Sequence, residues 1–507
     1  MAGFENFTER LLSIVSARVL TLVITFVTTP IVVRLLDPAG YGNYAVLLSV
    51  FTIWILPVSS AVTEGVQKYV GENRDDDDAW GARVVGFYFI FGGALVVVSV
   101  ALLLAFTAVG GAAWLFGDSF TLYFYLLAVF VFVSQFRAIG YHAVLGFGNE
   151  KATATFDVAK KFLTMAVGIT LVVTAGMGVA GMLVGHVVAN VVIAAAAAFI
   201  VVRTADLSAV TFRSLRALPL RELVAFNALN VVLVFLVLSM AHVDVLMLRT
   251  FGSPESTGFY KAALSTSEYL WIVPMALQTV LLHSSSSLWA DGRTDELSSI
   301  ASRLTRFTLL LVVLMALGMA VLADRFVPLY FGAEYEESIV PLLVLLPGVV
   351  GFAAARPLQA IGQGSGKLRT LIVAVGGAAG LNFVLNALLI PLYGMMGAAA
   401  ATSIGYGSMF AFLLWSAYQL GYDPLQDVRP VRLLATAVVS APFVWGVNEL
   451  IRNDVVALFV VPPIGFVVYF VVAVGVGAVG IDEVQSIVDR APRPLAAPLR
   501  AALSWVN

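Results

Sequence analysis

The sequence predicts an all-α polytopic membrane protein of about fourteen transmembrane helices: two six-helix parallel repeats around a central cavity, plus a C-terminal helix hairpin. Three observations carry this. Of 507 residues, 60% are hydrophobic and 12% charged, with a mean hydropathy of +0.95, far outside the range of soluble domains. The chain also matches itself at an offset of 216 residues (Pro38 to Pro254), which carries Gly42 and Tyr44 onto Gly258 and Tyr260. The same shift carries Gly178 and Gly181 onto Gly394 and Gly397, and Gly146, Gly148 and Lys151 onto Gly362, Gly364 and Lys367. Third, the basic residues segregate: an orientation with the N-terminus inside puts 23 of 29 on the cytoplasmic side, as the positive-inside rule requires.

The apolar runs, in order, lie near 11–36, 41–63, 81–107, 114–137, 156–175 and 179–202 in the first half (1–215). They lie near 222–248, 257–281, 301–323, 339–360, 369–390 and 395–419 in the second (216–422), and near 431–450 and 456–479 in the remaining 423–507. Each is long enough to cross a hydrocarbon core of about 30 Å as a helix, and only helices satisfy their backbone within one segment in lipid. Alternating segments of about ten residues, the mark of a membrane β-barrel, are missing from the pattern. An even number of spans in each half makes the repeats parallel, related by an axis along the membrane normal. Both termini are expected in the cytoplasm, and the first run, which carries Arg18 and no small-residue cleavage site, is expected to stay as a helix.

The longest loops, near 64–80, 203–221 and 282–300, are too short for a catalytic domain. The runs Asp75–Asp78 and Ser284–Ser287 read as solvated faces, with a metal or sugar-nucleotide site as the sharper alternative for the aspartates. No cysteine is present, which excludes disulfides, thiolate metal sites and cysteine nucleophiles. Gly146, Gly148, Gly362 and Gly364 are expected in tight turns that need φ > 0. Neither LGFGNEK nor IGQGSGK fits the phosphate-loop pattern. Pro30, Pro57, Pro274 and Pro347 lie in or near span ends, where they kink helices. Two like halves in a hydrophobic chain point to a transporter that rocks one half against the other.

The stretches RLLDPAGYGNYAVL, VDVLMLRTFGSPESTGFYKAA and FVPLYFGAEYEESIVPLLVLLPG resemble polysaccharide and oligosaccharide flippases of the Wzx type. These share a superfamily with multidrug MATE transporters and lipid II flippases. The resemblance spans about 420 residues and specifies fold more than substrate, since its motifs are glycines, tyrosines and helix ends. It implies a transporter, not an enzyme, that flips a polyprenyl- or dolichol-linked sugar across the cytoplasmic membrane for surface glycan or protein glycosylation. The implied partners are that lipid-linked glycan, membrane lipids and a coupling cation, with no nucleic acid, cofactor or bound metal. A cation-coupled drug antiporter on the same fold is the alternative. A membrane glycosyltransferase would need a sizeable outer loop.

A flippase needs a polar route, and ionisable residues inside spans mark it. Arg18 lies within the first span, at an insertion cost of about 2.5–3.5 kcal/mol. It reads as a phosphate or sugar ligand, or as a snorkelling anchor. Asp244, where the resembling family often has an acid, reads as an outer-gate or coupling-cation residue, or as an ion-pair partner of Arg249; His242 beside it reads as an interfacial polar residue or a relay. Glu268 has its nearest cation in sequence, Lys261, two turns away, which favours a functional role. Asp157 is expected to pair with Lys160 and Lys161 at helical spacing. Arg137 and Arg356, at equivalent span ends, flank a head-group entrance or serve as anchors. His186, Asn382 and Asn386 suit helix–helix hydrogen bonds, with Asn382 and Asn386 on one face as a possible sugar-binding stripe.

Overall fold

The computed structural model describes residues 2–72, 79–216, 218–225, 228–483 and 485; the Asp75–Asp78 run lies outside them. The described residues are helical with no strand, and eleven helices are long and apolar enough to cross a membrane. In order, α1 runs Ala2–Gly71, α2 Trp80–Ala108, α3 Gly111–Phe116, α4 Ser119–Gly146, α5 Glu150–Ala175 and α6 Gly178–Thr204. Two short helices, α7 (Phe212–Arg216) and α8 (Leu220–Ala225), lead to α9 (Ala228–Phe251), α10 (Pro254–Glu268) and α11 (Ile272–Ala290). Then come α12 (Thr294–Phe331), α13 (Ile339–Gly364), α14 (Leu368–Leu420), α15 (Pro430–Leu450) and α16 (Asp454–Gly475).

Two of these helices are each a pair of legs. The 70-residue α1 breaks at Asp37 (φ 57°, ψ 173°), and the 53-residue α14 breaks at Gly394 (φ 56°, ψ −132°). The break in α1 is written in the dipeptide Asp37-Pro38. The Asp37 carboxylate accepts from the backbone N–H of Gly40 at 2.8 Å, so it caps the second leg while Pro38 fills the first helical position. Ser253-Pro254 does the same at the start of α10, where Ser253 Oγ accepts from Ser256 N at 3.1 Å.

The molecule forms two compact units. The first comprises Met1–Leu264, Tyr330–Pro341 and Val375–Gly405; the second comprises Ser265–Leu329, Leu342–Ala374 and Tyr406–Asn507. Within the first unit the second leg of α1 and the start of α10 cross with their backbones touching. A Cβ on Gly42 would fall on the carbonyl oxygen of Pro254 and within 2.8 Å of Gly258 N, and a Cβ on Gly258 would fall on the carbonyl oxygen of Pro38. The contact is reciprocal: each glycine meets the partner's proline, as in an interface built on a two-fold axis. The equivalent tyrosines continue the pattern. Tyr44 Oη bonds His186 Nε2 at 2.8 Å, and Tyr260 Oη bonds Thr402 Oγ1 at 3.1 Å; His186 and Thr402 are again 216 apart.

The same economy recurs at helix hairpins. Gly178 and Gly394 both take positive φ. Three residues on, Gly397 leaves no room for a Cβ, which would fall on the Leu389 carbonyl oxygen and 3.0 Å from Ile390 N, and at Gly181 a Cβ would be tight against the preceding leg, 3.3 Å from Val172 N.

The sequence expectation for the other glycines needs correction. Gly148 does adopt φ 78°, but its counterpart is Gly366 (φ 71°), because Gly146, Gly362 and Gly364 lie in helices. Gly146 and Gly364 serve close approach instead. A Cβ on Gly146 would meet Gln67 O at 3.0 Å in the first unit, and one on Gly364 would meet Leu282 O at 3.2 Å in the second. The expected loops near 64–80 and 282–300 are also largely helical, since α1 runs to Gly71 and α11 to Ala290. The serine run bonds back to its own helix: Ser285 Oγ donates to Leu282 O at 3.2 Å and Ser287 Oγ to Ser284 O at 3.0 Å, so hydroxyls there are satisfied without leaving the helix.

In the second unit the hairpin of α15 and α16 is tied to α12 at both ends. The fully buried Arg306 pairs with Asp427 at 3.2 Å and with Glu483. Toward the other end of α12, Arg325 donates to the carbonyls of Ile451 (2.7 Å) and Asn448 (2.9 Å) and pairs with Asp454 at 3.3 Å.

Candidate functional site

A polar recess in the first unit opens between the first leg of α1 and helices α4 and α5. Its shape starts at the turn before α5, where Gly148 supplies the left-handed residue and Asn149 caps the helix by accepting from Ala152 N at 3.2 Å. From that start Thr153, Asp157, Lys160 and Lys161 fall on one face of α5, at helical spacing. They line a cavity of about 580 Å³. The α1 wall carries Ala17, Thr21 and Thr25, one turn apart; each threonine hydroxyl bonds the carbonyl four residues back at 2.8 Å. That habit lets a hydroxyl sit in an apolar span while its oxygen still faces the recess as an acceptor.

Tyr141 of α4 donates its hydroxyl to Asp157 Oδ2 at 2.9 Å. Arg137, one turn earlier on α4, lies within electrostatic reach of Asp157 and Lys160, and its Nε is buried with no hydrogen-bond partner among the described residues. The recess is therefore lined by two cations, Lys160 and Lys161, and two acids, Asp157 and Glu150, with Arg137 behind the wall. Asp157 does not form the expected ion pairs with Lys160 and Lys161; Tyr141 holds it instead, leaving both half-buried ammonium groups for something else. An anionic head is what such a recess accommodates.

A second constellation in the first unit is dry. Asp244 is 0% exposed. Its Oδ2 accepts from Tyr260 Oη and from Thr402 Oγ1 at 3.0 Å, and its Oδ1 from Val245 N at 2.7 Å. The pairing with Arg249 expected as one alternative does not form. Five residues along a helix is about 140° around it, so the two side chains point apart. Arg249 donates to Asn43 Oδ1 at 3.0 Å and to the Phe116 carbonyl. His242, two residues before Asp244, bonds Ser49 Oγ through Nδ1 at 3.0 Å.

On α14, Asn382 donates to the Ala401 carbonyl at 3.4 Å, across the break at Gly394. Asn386 is also buried, with both amide atoms unbonded among the described residues.

The remaining candidates lie apart from these sets. Arg356 belongs to the second unit, where it is 5% exposed and bonded to Gln278 and Gln359. Neither Arg137 nor Arg356 closes a helix end: α4 continues nine residues past Arg137 and α13 eight past Arg356. Glu268 is half-buried at the last residue of α10. The side chain of Arg18 lies outside the described residues, although its neighbours Ala17 and Thr21 line the recess. The sequence reading missed Lys160 and Lys161, dismissed as local partners of Asp157, and it missed Thr402. The 216-residue offset points to Thr402, since it pairs Thr402 with His186.

A sequence model of the family described as polysaccharide biosynthesis protein matches residues 31–340. The chain is 25% identical over 261 residues to an uncharacterized membrane protein of Methanocaldococcus jannaschii, covering 50% of each chain. It is 23% identical over 223 residues to the probable low-salt glycan biosynthesis flippase Agl15 of Haloferax volcanii, covering 41% of this chain and 46% of that one. The alignments thus span about half the length of these curated relatives. Among solved structures, the inward closed conformation of the lipid II flippase MurJ superposes with a TM-score of 0.68 at 14% identity, over 90% of this chain and 98% of that one. An inward-facing multidrug MATE family transporter superposes at 0.65, also at 14% identity, over 78% and 94%. At such identity the likeness is one of fold.

Proposed function

Because the chain belongs to the polysaccharide biosynthesis protein family, we propose that this multi-pass membrane protein is a transporter, not an enzyme, that flips a lipid-linked sugar or oligosaccharide across the cytoplasmic membrane. The observation that supports the reading is the recess of α1, α4 and α5: Lys160 and Lys161 line it inside an apolar helical unit, next to backbone-bonded threonines, with Asp157 and Glu150 as the acids of the lining and Arg137 within electrostatic reach. Burying that charge in lipid is costly, and an anionic lipid head group that passes through offsets the cost. The names of the flippases that the chain resembles support the same substrate class.

In this reading α1 and α14 each cross the bilayer twice, and α10 with α11 crosses once. That makes fourteen spans: six in residues 1–215, six in 216–422 and a hairpin beyond, with both termini in the cytoplasm. The reciprocal Gly42–Pro254 and Gly258–Pro38 contact lies on the axis about which the halves rock. Lys160, Lys161 and Arg137, with Arg18, receive the phosphate of the carrier. Asp244, shielded from solvent and held by Tyr260 and Thr402, takes up the coupling proton or cation. Glu268, Asn382 and Asn386 contribute to the polar route.

The test is genetic. A strain lacking the gene should lose its surface glycan and accumulate the lipid-linked precursor, and a plasmid copy should reverse both effects. Unchanged glycans together with heightened sensitivity to cationic drugs would instead establish the antiporter alternative, which the buried acid Asp244 also suits.

A further inference from the structure

The guanidinium of Arg356 lacks the partner its charge calls for. It is 5% exposed, inside the second unit. Its Nη1 reaches only amide oxygens, Gln278 Oε1 at 3.4 Å and Gln359 Oε1 at 3.3 Å. Its plane sits over the Phe352 ring at 4.0 Å, with Trp271 at 5.9 Å. The Nε of Arg356 and the indole Nε1 of Trp271 are both buried with no acceptor among the described residues. Among the described residues no carboxylate forms an ion pair with it. Glutamine oxygens and ring faces offset only part of the cost of burying a full charge, and a buried unpaired donor adds its own penalty. What completes the site is an anion with two oxygens in a plane, matching the guanidinium fork.

The surroundings say what carries that anion. Trp271, Phe352 and Tyr406 form one aromatic cluster, with centroids 4.4, 4.5 and 5.3 Å apart. Flat apolar faces next to amides that both donate and accept suit a sugar ring, which has C–H faces and a hydroxylated rim. Gln278 Nε2 also lies 3.5 Å from Gln363 Oε1, and both glutamines are half-buried, whereas Arg356 and Gln359 are buried. At Gly351 and Gly407, α13 and the second leg of α14 meet backbone to backbone, so close that a Cβ on Gly351 would lie 2.7 Å from Gly407 Cα, which fixes the spacing of the two helices that carry Phe352 and Tyr406.

We propose that Arg356, with Phe352, Trp271, Gln278 and Gln359, is a subsite for an acidic sugar, a hexuronate-type residue of the transported glycan whose carboxylate pairs with the guanidinium. The proposal rests on the flippase reading and adds the substrate class. The carrier's phosphate is an anion too, but it brings no sugar ring for the aromatic cluster.

The experiment is titration calorimetry of the purified full chain with three short-chain probes: a prenyl phosphate bearing glucuronate, the same lipid bearing glucose, and the lipid phosphate with no sugar. Wild-type protein should bind the glucuronate probe at least tenfold more tightly than the glucose probe. Arg356→Gln should shrink that gap to within twofold. So should Gln359→Glu, which places a carboxylate on Arg356 from within and so competes with the ligand; it also decides the matter if Arg356→Gln does not fold. Equal affinities for the two sugars in wild type, or a tenfold gap that survives both substitutions, overturn the proposal. An equal loss for the sugar-free lipid in Arg356→Gln overturns it too, and assigns Arg356 to phosphate. Failure of all three probes to bind wild type would overturn the flippase reading with it.

Discussion

Arg137 on α4 in the first unit and Arg356 on α13 in the second both sit inside long helices, and their surroundings differ. Near Arg137 the sequence supplies charge: Lys160 and Lys161 half-buried, and Tyr141 on Asp157 at a cavity of about 580 Å³. Around Arg356 it supplies rings and amides, and closes the space around them. A repeat keeps the backbone geometry and frees the side chains. The reciprocal crossing, the two Xaa-Pro caps and the glycine hairpins are conserved in position, whereas the two arginines now face different chemistry. The open, many-charged site suits an electrostatically held head group, and the enclosed aromatic site suits recognition by shape and a single charge.

The largest effect should come from reversing the open site. Lys160→Glu with Lys161→Glu turns a recess lined by two cations and two acids into one lined by four acids, and should reduce transport at least a hundredfold, as read by surface glycan per copy of inserted protein. Arg18→Ala should likewise abolish export with the protein still folded, and Arg18→Lys should restore it only in part, because Lys keeps the charge and loses the fork.

Next is the crossing of α1 and α10 in the first unit. Gly42→Ala and Gly258→Ala each push a methyl group onto a carbonyl oxygen, and overpacking of this kind costs about 1–3 kcal/mol. Because the contacts are reciprocal, the two substitutions should lower the melting temperature by similar amounts in a thermal unfolding assay. A large drop for one and none for the other would break the symmetry argument.

Asp244→Asn can keep the hydrogen bonds from Tyr260 and Thr402 on its one oxygen but turns an NH2 toward the Val245 N–H. It should therefore lower the melting temperature modestly, and, if Asp244 couples transport as proposed, make transport insensitive to an imposed proton or sodium gradient. The smallest effect is at the caps: Asp37→Ala and Ser253→Ala each remove one side-chain acceptor from a helix start, at about 1 kcal/mol.

The helices, the repeat and the break at Asp37-Pro38 were legible in the sequence because each rests on local rules: span length, period and cap chemistry. The glycines were legible as special but not in their manner. Close approach at Gly146 and Gly364 depends on what lies across from them, Gln67 and Leu282, which no local rule reveals. Asp244 was found as a buried acid, yet its partner Thr402 lies 158 residues away and was visible only through the offset. Lys160 and Lys161 were misread because helical spacing to Asp157 offers a ready ion pair; Tyr141, from the neighbouring helix, holds that carboxylate instead. Arg356 reads as an ordinary anchor until Phe352 and Gln359, one turn to either side, are seen to enclose it.

The central claim is that the open recess carries a lipid-linked sugar across the membrane. The most direct measurement reconstitutes the purified chain in liposomes with a fluorescent prenyl phosphate sugar and follows the fraction reached by a quencher added outside. Wild-type protein should make the inner-leaflet probe accessible well above the rate in protein-free liposomes, and the Lys160→Glu, Lys161→Glu protein, reconstituted in equal amount, should not. Equal rates for the two proteins would contradict the assignment of the recess, and a wild-type rate no faster than empty liposomes would contradict flipping itself.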